Sequence, residues 1–319
     1  MKRILVCVVA AWAVLFSLAG AGGGQRAEAA NFPTKPITFI IPFDAGSTSD
    51  VVGRMLARLA EKELKQTIKI VNKPGSTGAL GYQEIFVTRP DGYTITQVNN
   101  TLVAHNLMGT FDFSFRDLTP IVNSQTDALA LYVSAQAPFK TWDEMVAYSK
   151  ANPGAVTVST STVGGLTNIV AVQLEKLLDV EWNIATGSSG GDAATQAAGG
   201  HVMMNVSSCA EGVAFVESGD ITPLCITSAE RVSLYPDAPT CRELGYDVVL
   251  GNLRSVFGPP KMDPEVADIL TQAFRKAIES PEYVEYVEKT SGVMMYRDGP
   301  GTAAEYAKLE EILIPIFEK

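Results

Sequence analysis

The chain has 319 residues, of which 46% are hydrophobic, 19% charged and 8% aromatic. This is the composition of a folded globular protein and excludes a disordered or collagen-like one. Its 25 Lys and Arg against 35 Asp and Glu leave a formal charge of -10, which argues against a nucleic-acid binder because phosphate binding needs clustered cations.

The N-terminal segment is the first informative element. Met1-Lys2-Arg3 precede an apolar run over residues 4–18, followed by small residues ending in Ala27-Glu28-Ala29. That order predicts a secretory signal peptide over residues 1–29, cleaved after Ala29 or Ala30. The run is short for a membrane span, and no cysteine follows Leu18-Ala19-Gly20 to carry a lipid anchor. Removal takes three cations and one carboxylate, deepening the charge from -10 to -12. Cys7 leaves with the signal, and Cys209, Cys225 and Cys241 remain, an odd number for an oxidising compartment. One disulfide with one free thiol, or three small apolar core residues, are both open readings. The spacings resemble no metal motif, and two histidines, His105 and His201, offer little for a zinc site.

The mature chain alternates strands and helices. Residues 37–42 (ITFIIP) form an apolar run of strand length, and Val51, Val52, Met55, Leu56, Leu59 and Leu64 follow at helical spacing. A strand at 68–71, a glycine-rich loop at 73–78, a helix at 79–87 ended by Arg89-Pro90-Asp91-Gly92, and a strand at 93–98 repeat the pattern. A second set begins after the strand at 129–133. It predicts helices at 142–150, 166–178, up to 198 and at 209–216, and strands at 155–159, 182–185, 201–206 and 221–227. Three helices close the chain, at 264–279, 282–290 and 302–316, with no strand-rich region among them.

Such alternation implies mainly parallel sheets covered by helices on both faces. The terminal helices must pack on something already made, which predicts a discontinuous first lobe of residues 30–131 and 253–319, a second lobe of 132–252, and two strands crossing between them.

Four small, hydroxyl-rich loops each follow a predicted strand. They are Pro42-Phe43-Asp44-Ala45-Gly46-Ser47-Thr48-Ser49-Asp50, Gly75-Ser76-Thr77-Gly78-Ala79, Ser159-Thr160-Ser161-Thr162-Val163-Gly164-Gly165 and Thr186-Gly187-Ser188-Ser189-Gly190-Gly191-Asp192. Any one alone reads as ordinary helix capping. Four of them, two per lobe, would line the carboxyl edges of two open sheets, where such folds bind ligands. The first N–H groups of a helix lack partners and carry the positive end of its dipole, so an anion can sit there. None of the four contains Lys or Arg, which favours a solute with one or two carboxylates held by N–H and hydroxyl donors.

Residues 33–50 (PTKPITFIIPFDAGSTSD), 72–81 (NKPGSTGALG), 89–94 (RPDGYT), 151–154 (ANPG) and 229–244 (AERVSLYPDAPTCREL) resemble the extracytoplasmic solute-binding proteins of tripartite tricarboxylate transporters, the TctC or Bug family, over nearly the whole mature length. The resemblance implies a two-lobed periplasmic-binding-protein fold, or Venus flytrap, that closes on a small carboxylated solute. It also implies delivery to a membrane permease of one large and one small subunit, no catalysis and no cofactor. The family's ligand-holding loops match at Ala45, Gly46 and Asp50 and at Gly75 and Gly78, so Phe43, Ser47, Thr48, Ser76, Thr77 and Ala79 become candidates with them. In the second lobe, Thr160, Ser161, Thr162 and Val163, with Thr186 and Gly187, fall where the family places contacts. Ser47 replaces a usual glycine, Asn168 stands where many members have His, and Met203 where an acidic residue is common. Asn205 and Ser207 are expected to restore some polarity, and Arg254 to reach a second carboxylate. The protein is expected to be periplasmic and monomeric.

Two other readings bear on the same residues. Gly187-Ser188-Ser189-Gly190-Gly191 fits G-x-S-x-G, but His201, the only later histidine, comes too soon to complete a hydrolase triad. No nucleotide-binding glycine motif is present. A sensory binding protein that presents the same ligand to a receptor kinase has the same predicted fold, and the sequence does not separate the two.

Overall fold

The computed structural model describes residues 31–290 and 292–317; the expected signal peptide lies outside the described residues. The first unit comprises β1 (Ile37–Ile41), α1 (Thr48–Leu64), β2 (Ile68–Asn72), α2 (Ala79–Val87), β3 (Thr94–Val98) and α3 (Thr101–Leu107). Ser47 starts α1 by accepting the Asp50 N–H at 3.3 Å, and Lys65 ends it in the left-handed region with its N–H returned to the Glu61 carbonyl. Between these caps Val52, Leu56, Leu59 and Ala60 recur at helical spacing and are buried.

The chain then enters β4 (Thr119–Ser134), a 16-residue strand that serves both halves of the molecule. Its residues 119–128 pair with β9 (Gly251–Gly258), and its residues 129–133 pair with β7 (Met204–Ser208). The partner therefore changes between Ala128 and Leu129. The second half comprises α4 (Trp142–Ala151), β5 (Val156–Thr160), α5 (Leu166–Leu178), β6 (Trp182–Thr186), α6 (Gly190–Ala198), β7, α7 (Cys209–Glu217) and β8 (Ile221–Ile226). The return path runs beside β4: Thr227 N–H donates to Leu129 O and Leu250 N–H to Thr227 O, both at 2.9 Å, before the chain enters β9. The described chain closes with α8 (Pro264–Ile278), α9 (Pro281–Lys289), β10 (Gly292–Arg297) and α10 (Gly299–Phe317).

Eight strands run in the order β2-β1-β3-β9-β4-β7-β5-β6, and β8 and β10 also pair with β4. The parallel pairs, β1 with β2 and β3, and β5 with β6 and β7, lie in the two wings. Every pair that includes β4 or β9 is antiparallel, because those strands carry the chain out of one lobe and back. On one face of the first wing, Phe39 of β1 meets Phe274 of α8 edge-on at 6.0 Å within a cluster that includes Leu56 and Leu270. A larger cluster, with Tyr82, Leu102, Leu131, Val158, Leu174 and Tyr306, runs from the first lobe into the second.

Several features depart from the sequence-based expectation, which also has no counterpart for α3 or β9. The predicted strand at 201–206 begins only at Met204, residues 201–203 forming a bend. β10 stands where helices alone are predicted; its apolar run, Val293-Met294-Met295-Tyr296, is only four residues long, and its residues are mostly half-buried against β4. Half of β4 escapes the pattern because Asn123, Ser124, Gln125 and Asp127 interrupt its hydrophobicity while being buried. No helix among the described residues is long and apolar enough to cross a membrane.

Candidate ligand-binding cleft

A cleft of about 400 Å³ opens between the lobes, lined by the ends of β1, β3, β5 and β7 and by the helix starts that follow, a volume suited to a small solute. On the first lobe the chain turns at Gly46, φ +84°, and is braced from below by Asp50. One carboxylate oxygen of Asp50 accepts the Gly46 N–H and Arg54 Nε, both at 2.9 Å, and the other accepts Asn72 Nδ2 at 2.8 Å. Burial alone would raise the pKa of Asp50, but the hydrogen bonds from Arg54, Gly46 and Asn72 and the nearby guanidinium hold it below the ordinary carboxylate value. Phe43, Ser47, Thr48 and Ser49 line the cleft, whereas Ala45, Gly46 and Asp50 do not. The N–H groups of Thr48 and Ser49, first in α1, have no intrahelical acceptor.

The second loop holds four successive residues at positive φ: Gly75 at 140°, Ser76 at 46°, Thr77 at 55° and Gly78 at 97°. The left-handed region is costly for Ser and Thr, and such strain gathers where loops bind. The turn is closed by Gly78 N–H to Gly75 O at 3.1 Å, and His105 Nε2 lies 3.4 Å from Thr77 O. Burial pushes the His105 pKa down. Ser76, Thr77 and Gly78 line the cleft, while Ala79, already in α2, does not.

At the floor, Arg254 of β9 is buried, and each of its three guanidinium nitrogens has a partner. Its Nε and Nη2 reach Asp127 Oδ2 at 2.6 and 2.5 Å, and Nη1 donates to Ser49 Oγ at 2.6 Å. The expected cation is thus present on the cleft, but its charge is already matched by Asp127. Beside it Asn99 Oδ1 accepts Tyr82 Oη, Thr101 N and Thr101 Oγ1 at 3.1, 2.9 and 2.6 Å, so its Nδ2 is the group it can offer a ligand.

On the second lobe, Ser161 and Thr162 line the cleft with Thr167 of α5, whose Oγ1 accepts the Ser161 N–H at 2.8 Å. Thr160 and Thr186 end β5 and β6, Gly187 N–H pairs with Thr160 O at 2.9 Å, and Val163 is 71% exposed; none of these four residues lines the cleft. Asn205 and Ser207 also lie away from the cleft lining. Both are fully buried, the Nδ2 of one bonded to the Oγ of the other at 3.0 Å, and neither reaches the cleft. Strand alternation puts them on the face of β7 opposite Met204 and Val206 and level with Ser159, which bonds Ala193 O of α6.

The residues that take their place are Ser188, Ser189 and Gly190 at α6, and Ser208 and Glu211 at α7. Ser189 Oγ accepts the Asp192 N–H at 3.1 Å, so the serine of the G-x-S-x-G pattern is a helix cap. Ser208 and Glu211 form a reciprocal capping box. Asn99, Thr101, Ser208 and Glu211 line the cleft without belonging to any of the four predicted loops, because they stand at strand ends or helix starts. The signals available are Asn99-Asn100-Thr101 after an apolar strand, and Ser-x-x-Glu at 208–211.

Known proteins share this architecture. The family model described as "Tripartite tricarboxylate transporter family receptor", TctC, matches residues 52–309. The "UPF0065 protein in gbd 5'region" of Cupriavidus necator is 31% identical over 91% of this chain and 89% of its own, and protein BugT of Bordetella pertussis is 26% identical over 84% of each. Among solved structures, a TctC solute binding protein from Polaromonas superposes with a TM-score of 0.75 at 26% identity, covering 89% of this chain and 99% of its own. MatC from Rhodopseudomonas palustris with bound malate does so at 0.79 and 22%, covering 90% and 100%. The fold is that of periplasmic binding proteins, two lobes of sheet flanked by helices around a cleft, and the chain belongs to the TctC family of solute-binding proteins.

Proposed function

We propose that the protein, exported to the periplasm after cleavage at Ala29 or Ala30, captures a small carboxylate in this cleft as a monomer. It delivers the solute to a tripartite transporter with one large and one small membrane subunit and performs no catalysis. Residues 30–131 with 253–319 form one lobe of the trap and 132–252 the other.

The observation that carries this reading is the convergence of helix starts from both lobes on one cleft whose single lining cation is already paired. Unpartnered N–H groups at the positive ends of helices recognise a carboxylate without a salt bridge. Two proteins of the same fold carry ligands of this class: MatC was solved with bound malate and R. palustris Rpa4515 with adipate. In our reading the carboxylate lands first on Thr48, Ser49 and residues 76–78, and the second lobe then closes with Ser161, Thr162, Thr167 and Ser188. Closure is favoured only by the difference in affinity between open and closed forms.

The test is thermal denaturation of residues 30–319 with mono-, di- and tricarboxylates, amino acids and neutral controls. A ligand at one hundred times its Kd adds about 2.7 kcal/mol and raises the midpoint by several degrees. A selective rise with one carboxylate supports the reading. A rise with a neutral compound alone overturns it.

A further inference from the structure

The charges on the cleft walls narrow the solute further, an inference that rests on the carboxylate reading above. Three lining residues ionise: Asp44, Glu211 and Arg254. Arg254 is matched by Asp127, whereas Asp44 and Glu211 make no ion pair among the described residues. Glu211 sits in a telling place. Its Oε2 accepts the Ser208 N–H at the start of α7 at 2.9 Å. The same carboxylate rests against the first residue of α6, where a Cβ on Gly190 would lie 2.2 Å from Oε2 and 3.0 Å from Oε1. A carboxylate of the chain itself thus lies beside the starts of two helices, where a second carboxylate of the solute would otherwise be drawn.

We propose that Glu211 sets the specificity of the cleft. It fills the place of a second carboxylate, so the solute is a monocarboxylate whose far end donates hydrogen bonds, through an ammonium, amide or hydroxyl group. A dicarboxylate meets an acceptor where it needs a donor, together with like-charge repulsion at close range. The protein is thereby turned away from diacids of the kind seen in related folds.

The experiment is calorimetric titration of wild type and Glu211→Gln with chain-length-matched pairs, succinate against succinamate and adipate against adipamate, plus 4-aminobutyrate. Gln preserves the capping box and removes only the charge, and a circular dichroism melt checks the fold. Wild type should prefer the half-amides or the amino acid over the diacids by about tenfold or more, and the variant should narrow that preference by about tenfold through tighter diacid binding. Should the variant fail to fold, the wild-type preference alone decides. Diacids binding wild type as tightly as half-amides, or an unchanged preference in the variant, overturns the role of Glu211 and leaves the carboxylate reading standing. Binding of none of these acids by either protein overturns the assignment of the far end, while the carboxylate reading is decided by the wider thermal panel above.

A separate observation concerns the thiols. Cys225 and Cys241 are thiols in the structure with their sulfurs 3.0 Å apart, closer than non-bonded sulfurs rest. Their backbones are clamped by Ile226 N–H to Pro239 O and Cys241 N–H to Ile226 O, both at 2.9 Å. Both are fully buried in the large shared cluster, and Cys209 lies in a different one. We infer that, in the exported protein, Cys225 and Cys241 form a disulfide and Cys209 stays a thiol. A disulfide-bearing oxidant accepts two electrons and two protons and leaves as two thiols, through a mixed disulfide with one cysteine that the other displaces. Because both sites are sealed, the bond forms before the loop 226–240 packs. Protein recovered from the oxidising compartment, denatured in iodoacetamide without reductant, should gain one carbamidomethyl group, on Cys209, and three after reduction. Three groups without reductant, or a cross-linked peptide containing Cys209, overturns the pairing.

Discussion

Asp50 shows how one side chain can govern a site it does not line. Its carboxylate draws the Gly46 N–H, Arg54 and Asn72 together, so the loop that brings Thr48 and Ser49 to the cleft is held in place. Asp50→Asn should cost about 1.5–3 kcal/mol in urea denaturation, the range for hydrogen bonds to a charged group, and fall near its lower end because Arg54 is half exposed and screened. The pH dependence has a definite sign. The folded pKa lies below the ordinary 3.8, so this stabilisation is present above the unfolded value and is lost as pH falls through the folded one. The Asn variant should therefore show a flatter acid limb as pH falls through and below the ordinary 3.8, and equal acid slopes in the two proteins would remove Asp50 as the brace. The glycines nearby separate two physical causes. A Cβ at Gly78, φ +97°, would lie 3.0 Å from Tyr82 and 3.3 Å from Phe43, whereas Gly46 at φ +84° has open space around it. Gly46→Ala should lose only about 1 kcal/mol of backbone preference, and Gly78→Ala more, with a change in ligand affinity because Phe43 lines the cleft.

At the scale of elements, β4 explains what the sequence made legible and what it hid. The wings follow from local rules: apolar runs of strand length, helical spacing on α1 and α8, and caps at Ser47 and Ser189 are all written within a few residues of one another. The loops that bring Ser47, Thr48, Ser76, Thr77, Ser161 and Thr162 to the cleft are legible for the same reason. The polar stretch of β4 is different, because its groups are satisfied from far along the chain: Asn123 Nδ2 by Met295 O at 2.8 Å, Ser124 by Arg254 O at 2.9 Å, Gln125 by Tyr283 Oη at 2.7 Å and Asp127 by Arg254. No window of local sequence contains those partners, so a buried strand there resembles a loop. Glu211 escaped for a related reason, since its cap is local but the Gly190 it faces is on another helix. The same distant pairing makes a test. Arg254→Met strands a buried Asp127 and should cost about 3–5 kcal/mol, while Arg254→Met with Asp127→Leu should recover much of that loss. Additive losses in a double-mutant cycle would mean the pair is not coupled as the geometry requires.

For the whole molecule, the question is how two lobes joined by β4 and the 227–250 return can trap a solute. The lobes also touch beyond the joining strands: a Cβ on Gly164, in the loop after β5, would lie 3.1 Å from the sulfur and 3.3 Å from the Cε of Met108, which follows α3. That close approach exists only while the lobes are near one another, so a side chain at position 164 opposes closure without touching the cleft floor. Gly164→Val should weaken ligand binding about tenfold, equivalent to about 1.4 kcal/mol, and raise the radius of gyration of the liganded protein in solution scattering. Gly164 also has φ +72°, so Val carries backbone strain that could weaken binding by a different route. Adding Met108→Ala separates the two, since it removes the obstructing atoms and leaves the strain. Recovery of affinity and compaction in the double variant would assign the loss to blocked closure. A loss that persists there, with unchanged scattering, would mean that the solute is held without the second lobe moving onto it.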